Sequence, residues 1–139
     1  MFEKILVTGD LLPIREAACE GDLDALISLT RHVLAGKHTL QSGEAAFDIL
    51  HVIFDHKDFY ENLPRAWGVY VLCSQAEQLL YREGKKNRKE YLTRSYDYLQ
   101  WLVKAMLHAP RPMWDYELLE YAITWMKEHA PKLREESTF

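Results

Sequence analysis

The sequence predicts an all-α fold of five to six helices, arranged as stacked antiparallel hairpins or as an irregular bundle. Three observations carry this expectation. Apolar residues recur at i, i+3, i+4 and i+7 through most of the chain. Side chains that cap helix N-termini stand just before these stripes, with glycine or proline just past their ends. No segment alternates polar and apolar residues as a half-buried strand does, and the best extended candidate, Lys4 to Val7, has no second strand to pair with.

The elements follow in order. Pro13 near a start and Gly21 past an end bracket a first helix over about residues 11–20. Asp22 caps a second, because its carboxylate accepts the backbone N–H groups that a helix start leaves unpaired. Leu23, Leu26, Ile27, Thr30, Val33 and Leu34 form its stripe, and Gly36 ends it. Ser42 caps the third, with Ala46, Phe47, Leu50, Ile53 and Phe54 inward and an end near His56. Asn62 precedes Leu63-Pro64, the start of a fourth helix, in which Ala66, Val69, Tyr70, Cys73, Ala76 and Leu80 share a face down to Gly84. Asn87 caps the fifth, with Leu92, Tyr96, Leu99, Val103 and Met106 inward, and Pro110 and Pro112 stop it. The sixth runs from about Met113 to His129 with Leu118, Tyr121, Ala122, Trp125 and Met126 inward. Pro131 is expected to end it, leaving 131–139 as a frayed polar tail on a single helical domain spanning 1–139.

The four caps at 22, 42, 62 and 87 are paced for short hairpins stacked as a small solenoid, although no signature recurs at a fixed period. The stretch IREAACEGDLDALISLTRHVLAGK, about a sixth of the chain, is similar to the helix–GD–helix unit of ankyrin and tetratricopeptide-type repeats. The resemblance implies helix-hairpin packing and a binding role, and assigns no family.

Composition narrows the class. Of 139 residues, 48% are apolar and 27% charged, with only 6 Gly and 5 Pro, which argues against disorder and fibrous folds. The net charge of −4 gives no global attraction to nucleic acid or an anionic membrane. Cys19 and Cys73, the 2 cysteines, form neither a CxxC pair nor a disulfide framework. Both stand among apolar helical residues and are expected to be buried, reduced thiols. The N-terminus lacks a signal peptide's basic start and apolar core, and no stretch reaches the roughly 20 apolar residues of a membrane span. A cytoplasmic location is the expectation.

Three constellations bear on function. Asp48, His51 and Asp55 fall within roughly 60° of one another on the third helix, a face that could offer ligands to a divalent cation or form a plain polar flank. The flank is preferred, because the chain has no Glu-x-x-His pair and three ligands leave the coordination shell incomplete. The run from Arg82 to Arg94, with Lys85, Lys86, Arg88 and Lys89 between, carries six basic and two acidic side chains flanked by Tyr81 and Tyr91. It reads as a phosphate-contacting patch or as a solvated connection placing cations at a helix C-terminus. Trp101, finally, points about 200° from Leu99, sharing the polar side of its helix with Arg94, Asp97, Lys104 and His108. Either the sixth helix covers it or it meets a partner, since Trp concentrates binding energy at interfaces.

No GxSxG elbow, P-loop or GxGxxG is present, so no catalytic residue is named. The expected function is a non-enzymatic cytoplasmic module for protein–protein interaction or regulation. Its contact residues are Trp101, Tyr98, Arg94 and Lys104, its partner another protein or a second copy, and it uses no cofactor, metal or membrane. The alternatives are a nucleic-acid-associated accessory protein using residues 82–94, and a helical metal-binding or enzymatic protein.

Overall fold

A computed structural model describes Phe2, residues 5–84 and residues 88–137, with side chains omitted at 88 and 132–137. The described residues form six α-helices, joined in part by single 3-10 turns, and no sheet. The all-helical expectation holds. Of the extended candidate, Lys4 lies outside the described residues, and Val7 makes one isolated antiparallel bridge with Thr39.

Contacts divide the chain into two compact units, Met1–Asn62 and Leu63–Phe139, at a place where the sequence marks no linker. The first unit holds α1 (Leu11–Cys19), α2 (Leu23–Ala35) and α3 (Gly43–Phe54), with α2 packed on both neighbours. Its turns are built by the residues that punctuate the sequence. Gly21 adopts φ +93°, so its N–H reaches Ala18 O at 3.0 Å and that of Asp22 reaches Ala17 O at 3.1 Å, closing the last carbonyls of α1. The Asp22 carboxylate accepts from Ala25 N at 2.9 Å, so one Gly-Asp pair ends a helix and begins the next. Gly36 sits at φ +70°, where a Cβ would stand 3.2 Å from the Gln41 side chain. Ser42 caps α3 by accepting from Ala45 N at 3.1 Å. His56 then ties the end of α3 to the first turn, its Nε2 donating to Gly21 O at 2.8 Å while Nδ1 accepts from Asp58 N at 3.0 Å. Leu26, Leu29, Val33, Ile49, Leu50, Ile53 and Phe59 are fully buried.

The second unit holds α4 (Leu63–Arg82), α5 (Arg88–His108) and α6 (Tyr116–Ser137), with α5 packed along both others. Its core contains Trp67, Leu92, Leu99, Leu102, Met106, Ala122 and Trp125. Because α5 has neighbours on two sides, its buried face is wider than the sequence stripe. Ser95 and Leu102 are fully buried beside Leu92, Leu99 and Met106, while Tyr96 and Val103 are half-buried flanks. Ser95 is accommodated by hydrogen bonds. Its hydroxyl donates to Ser74 O at 3.0 Å, Ser74 Oγ lies 2.6 Å from Ser95 Oγ, and Gln78 Nε2 donates to Ser74 Oγ at 3.1 Å. α4 is buried over most of its circumference, adding Trp67, Val71, Leu72, Ser74, Glu77, Leu79 and Tyr81 to the expected face. The cap expected at Asn87 lies outside the described residues.

The sixth helix corrects the sequence reading at both ends. It begins at Tyr116, because Asp115 caps it by accepting from Leu118 N at 3.1 Å, whereas Arg111–Met113 form a 3-10 turn. It continues to Ser137 with Pro131 inside it. The residues expected in a frayed tail are therefore helical as far as Ser137. Proline removes one backbone donor and crowds one carbonyl; the helix-forming residues on both sides, among them Glu128, Ala130, Lys132 and Leu133, favour helix across it. Cys73 is buried, as expected, but Cys19 is only half-buried.

Candidate interaction surface

α5 carries Trp101 on the face opposite its core residues, and the sixth helix leaves the ring 65% exposed. The ring packs edge-to-face on Tyr70 of α4, with centroids 5.9 Å apart and planes at 84°. Beside it Arg94, Asp97, Tyr98 and Gln100 complete the lining of a shallow groove of about 340 Å³. Helical spacing explains the grouping, since positions 94, 97, 98 and 101 fall on one side of a 3.6-residue helix.

Arg94, in the wall of this groove, is paired with a buried carboxylate that is absent from the expected contact residues. Glu77 of α4 is 4% exposed, and its Oε1 lies 3.4 Å from Arg94 Nε. Its Oε2 is buried with no hydrogen-bond partner among the described residues. Burial pushes the Glu77 carboxyl up to about 7, and the neighbouring Arg94 guanidinium pulls the other way. Arg94 is half exposed and lies over the Tyr91 ring at 5.2 Å, so one guanidinium is held between a buried carboxylate, an aromatic face and the groove. Burial, reinforced by the charge of Glu77, raises the Cys73 thiol to about 12. Tyr98 is likewise raised to about 12, first by burial. The signal for Glu77 was present: position 77 falls inside the stripe of Cys73, Ala76 and Leu80, the one carboxylate on that side of α4.

Of the four expected contact residues, Trp101, Tyr98 and Arg94 meet around the groove. Lys104 is exposed three residues beyond Trp101 and does not line it. In the basic run, Arg82 is exposed at the end of α4, and Lys89 joins Glu90, Thr93 and Arg94 around an adjoining groove of about 420 Å³. Lys85 and Lys86 lie outside the described residues, as does the Arg88 side chain. Asp48 and His51 are exposed on α3, Asp55 is its exposed C-terminal cap, and among the described residues no three His, Cys, Asp or Glu side chains group as a metal site. No described helix is long and apolar enough to cross a membrane. The chain matches no protein-family model, no curated protein and no solved structure at a significant level.

Proposed function

We propose that the chain is a non-enzymatic helical module, acting in the cytoplasm, that binds another polypeptide through the Trp101 face of α5. The observation that carries this reading is the indole itself: a large ring 65% exposed, braced edge-on by Tyr70 at the rim of a groove with charged and phenolic walls. Such an aromatic anchor beside an arginine is the composition of interface hot spots. The groups nearby that could perform chemistry are poorly placed for it. The Cys73 thiol is buried and held far above neutrality, so little thiolate is available as a nucleophile.

The experiment is affinity capture from the native cell with the wild-type chain and with Trp101→Ala as baits. Loss of an interface Trp costs about 2 kcal/mol or more, roughly a 30-fold weakening, so a specific partner disappears from the variant. The thermal midpoint should hardly move, because the ring lies outside the core. Identical proteins on both baits would remove Trp101 from the site.

A second reading has one observation in its favour. Lys89 and Arg94 line the groove that adjoins Trp101, with Arg94 over the Tyr91 ring, an arrangement suited to phosphate contact beside a stacking surface.

A further inference from the structure

The charges around Trp101 have an order along α5. N-terminal to the indole the face carries Glu90 and Asp97, and C-terminal to it Lys104 and His108, all four exposed and within roughly 60° of Trp101 around the helix. Arg94 stands between these two carboxylates, half exposed, with its Nε 3.4 Å from Glu77 Oε1. Asp97 and Lys104 make no ion pair among the described residues, so both charges are available to a partner. Among the described residues, the charges without a partner that stand nearest the indole are thus Asp97 on its N-terminal side and Lys104 on its C-terminal side.

We infer that the polypeptide docked on this face is a second copy of the chain, its α5 antiparallel to the first about a two-fold axis between Gln100 and Trp101. Such an axis sets Asp97 of each copy opposite Lys104 of the other, because the two residues stand about 5 Å to either side of it along the helix. Each indole then faces Gln100 of the other copy, at the groove lined also by Asp97 and Tyr98. Glu90 falls within about one turn of the second copy's His108. A parallel pairing would set Asp97 against Asp97 and Lys104 against Lys104, so the same charges oppose that orientation. Self-complementarity about an axis is the requirement of an isologous dimer, and the Asp97–Lys104 exchange meets it.

This inference rests on the Trp101 face being a binding surface, and the test separates the two. The full chain is sedimented from about 1 to about 100 µM, and a dimer is expected within that range. Trp101→Ala removes both indoles of the symmetric dimer and should raise its Kd roughly 30-fold for each ring, on the order of 900-fold in all, leaving the variant monomeric across that range. Asp97→Lys and Lys104→Asp should each raise it about 10-fold or more by placing like charges together, with steeper weakening at low salt. The double exchange D97K/K104D should restore dimerisation to within about 3-fold of wild type, which a merely structural defect would not do. Thermal midpoints report folding of each variant, and Lys104→Asp carries the test if Asp97→Lys does not fold. A chain monomeric at about 100 µM, single exchanges without effect, or a double exchange that fails to recover would each overturn the second copy as occupant. If Trp101→Ala still removes a captured protein from a monomeric chain, the binding surface stands without the dimer. If the variant changes neither capture nor sedimentation, both fall.

Discussion

At the scale of single residues, Glu77 carries the clearest conflict between burial and charge. Its carboxylate is nearly inaccessible, one oxygen has only the Arg94 guanidinium and the other has no hydrogen-bond partner among the described residues. Its folded pKa of about 7 lies above the ordinary 4.5, so between those values the folded chain holds a proton that the unfolded chain has released. The stability this proton confers is complete below pH 4.5 and is lost as the pH rises through 7. Glu77→Gln keeps the shape and removes the charge. The variant should match the wild type near pH 4.5 and exceed it by on the order of 2 kcal/mol near pH 8, the loss of the Arg94 pair being smaller than the desolvation relieved. Urea unfolding of both proteins across that range checks it, and parallel pH profiles would show that Arg94 compensates the burial in full. Trp101 presents the opposite balance: a large apolar ring left in water, where burial against a partner is the favourable term still available to it.

At the scale of elements, the parts legible in the sequence are those that local chemistry decides. Asp22 and Ser42 cap the helices they precede, Gly21 and Gly36 close the helices they follow, and the stripe of α2 is buried except for Leu34, which is half-buried. Replacing either cap with alanine should therefore cost about 1 kcal/mol in urea unfolding, while Asp48→Ala on the exposed face of α3 should stay within about 0.5 kcal/mol. Equal effects at all three positions would mean the caps contribute no more than any surface residue. What the sequence hid depends on distant partners. The all-round burial of α4 is not visible in a single amphipathic stripe, and the exposed Trp101 was distinguishable from a covered one only once α6 was in place. Glu77 stands out in sequence as a carboxylate inside an apolar stripe, but its cation, Arg94, seventeen positions on, is identified only by the fold. The extent of α6 was misread because proline was given its local meaning as a terminator; its cost in a helix interior, about 3 kcal/mol, is offset by the helical residues that continue beyond it.

At the scale of the whole molecule, charge distribution bears on whether nucleic acid could be the partner. The net charge is −4, and the six cations of residues 82–94 are the main positive cluster against it. Within that run Arg94 is already paired with Glu77, and Glu90 stands among the residues lining the groove with Lys89. On α6, Glu117, Glu120 and Glu128 line another groove, adding a surface that repels phosphates. Nucleic-acid affinity comes mostly from neutralising phosphates, and each contact carries its own salt dependence. A single-stranded RNA of about 20 nucleotides should therefore show no binding at roughly 10 µM protein in 150 mM salt, and any retention at about 20 mM salt should be abolished by restoring it. Were all six cations to engage, log affinity would instead fall against log salt with a slope near −4, and Lys85→Glu with Lys86→Glu would remove about a third of that slope. That second pattern in a gel-shift titration would move the binding site from the Trp101 face to the basic run, since Trp101→Ala would leave it unchanged.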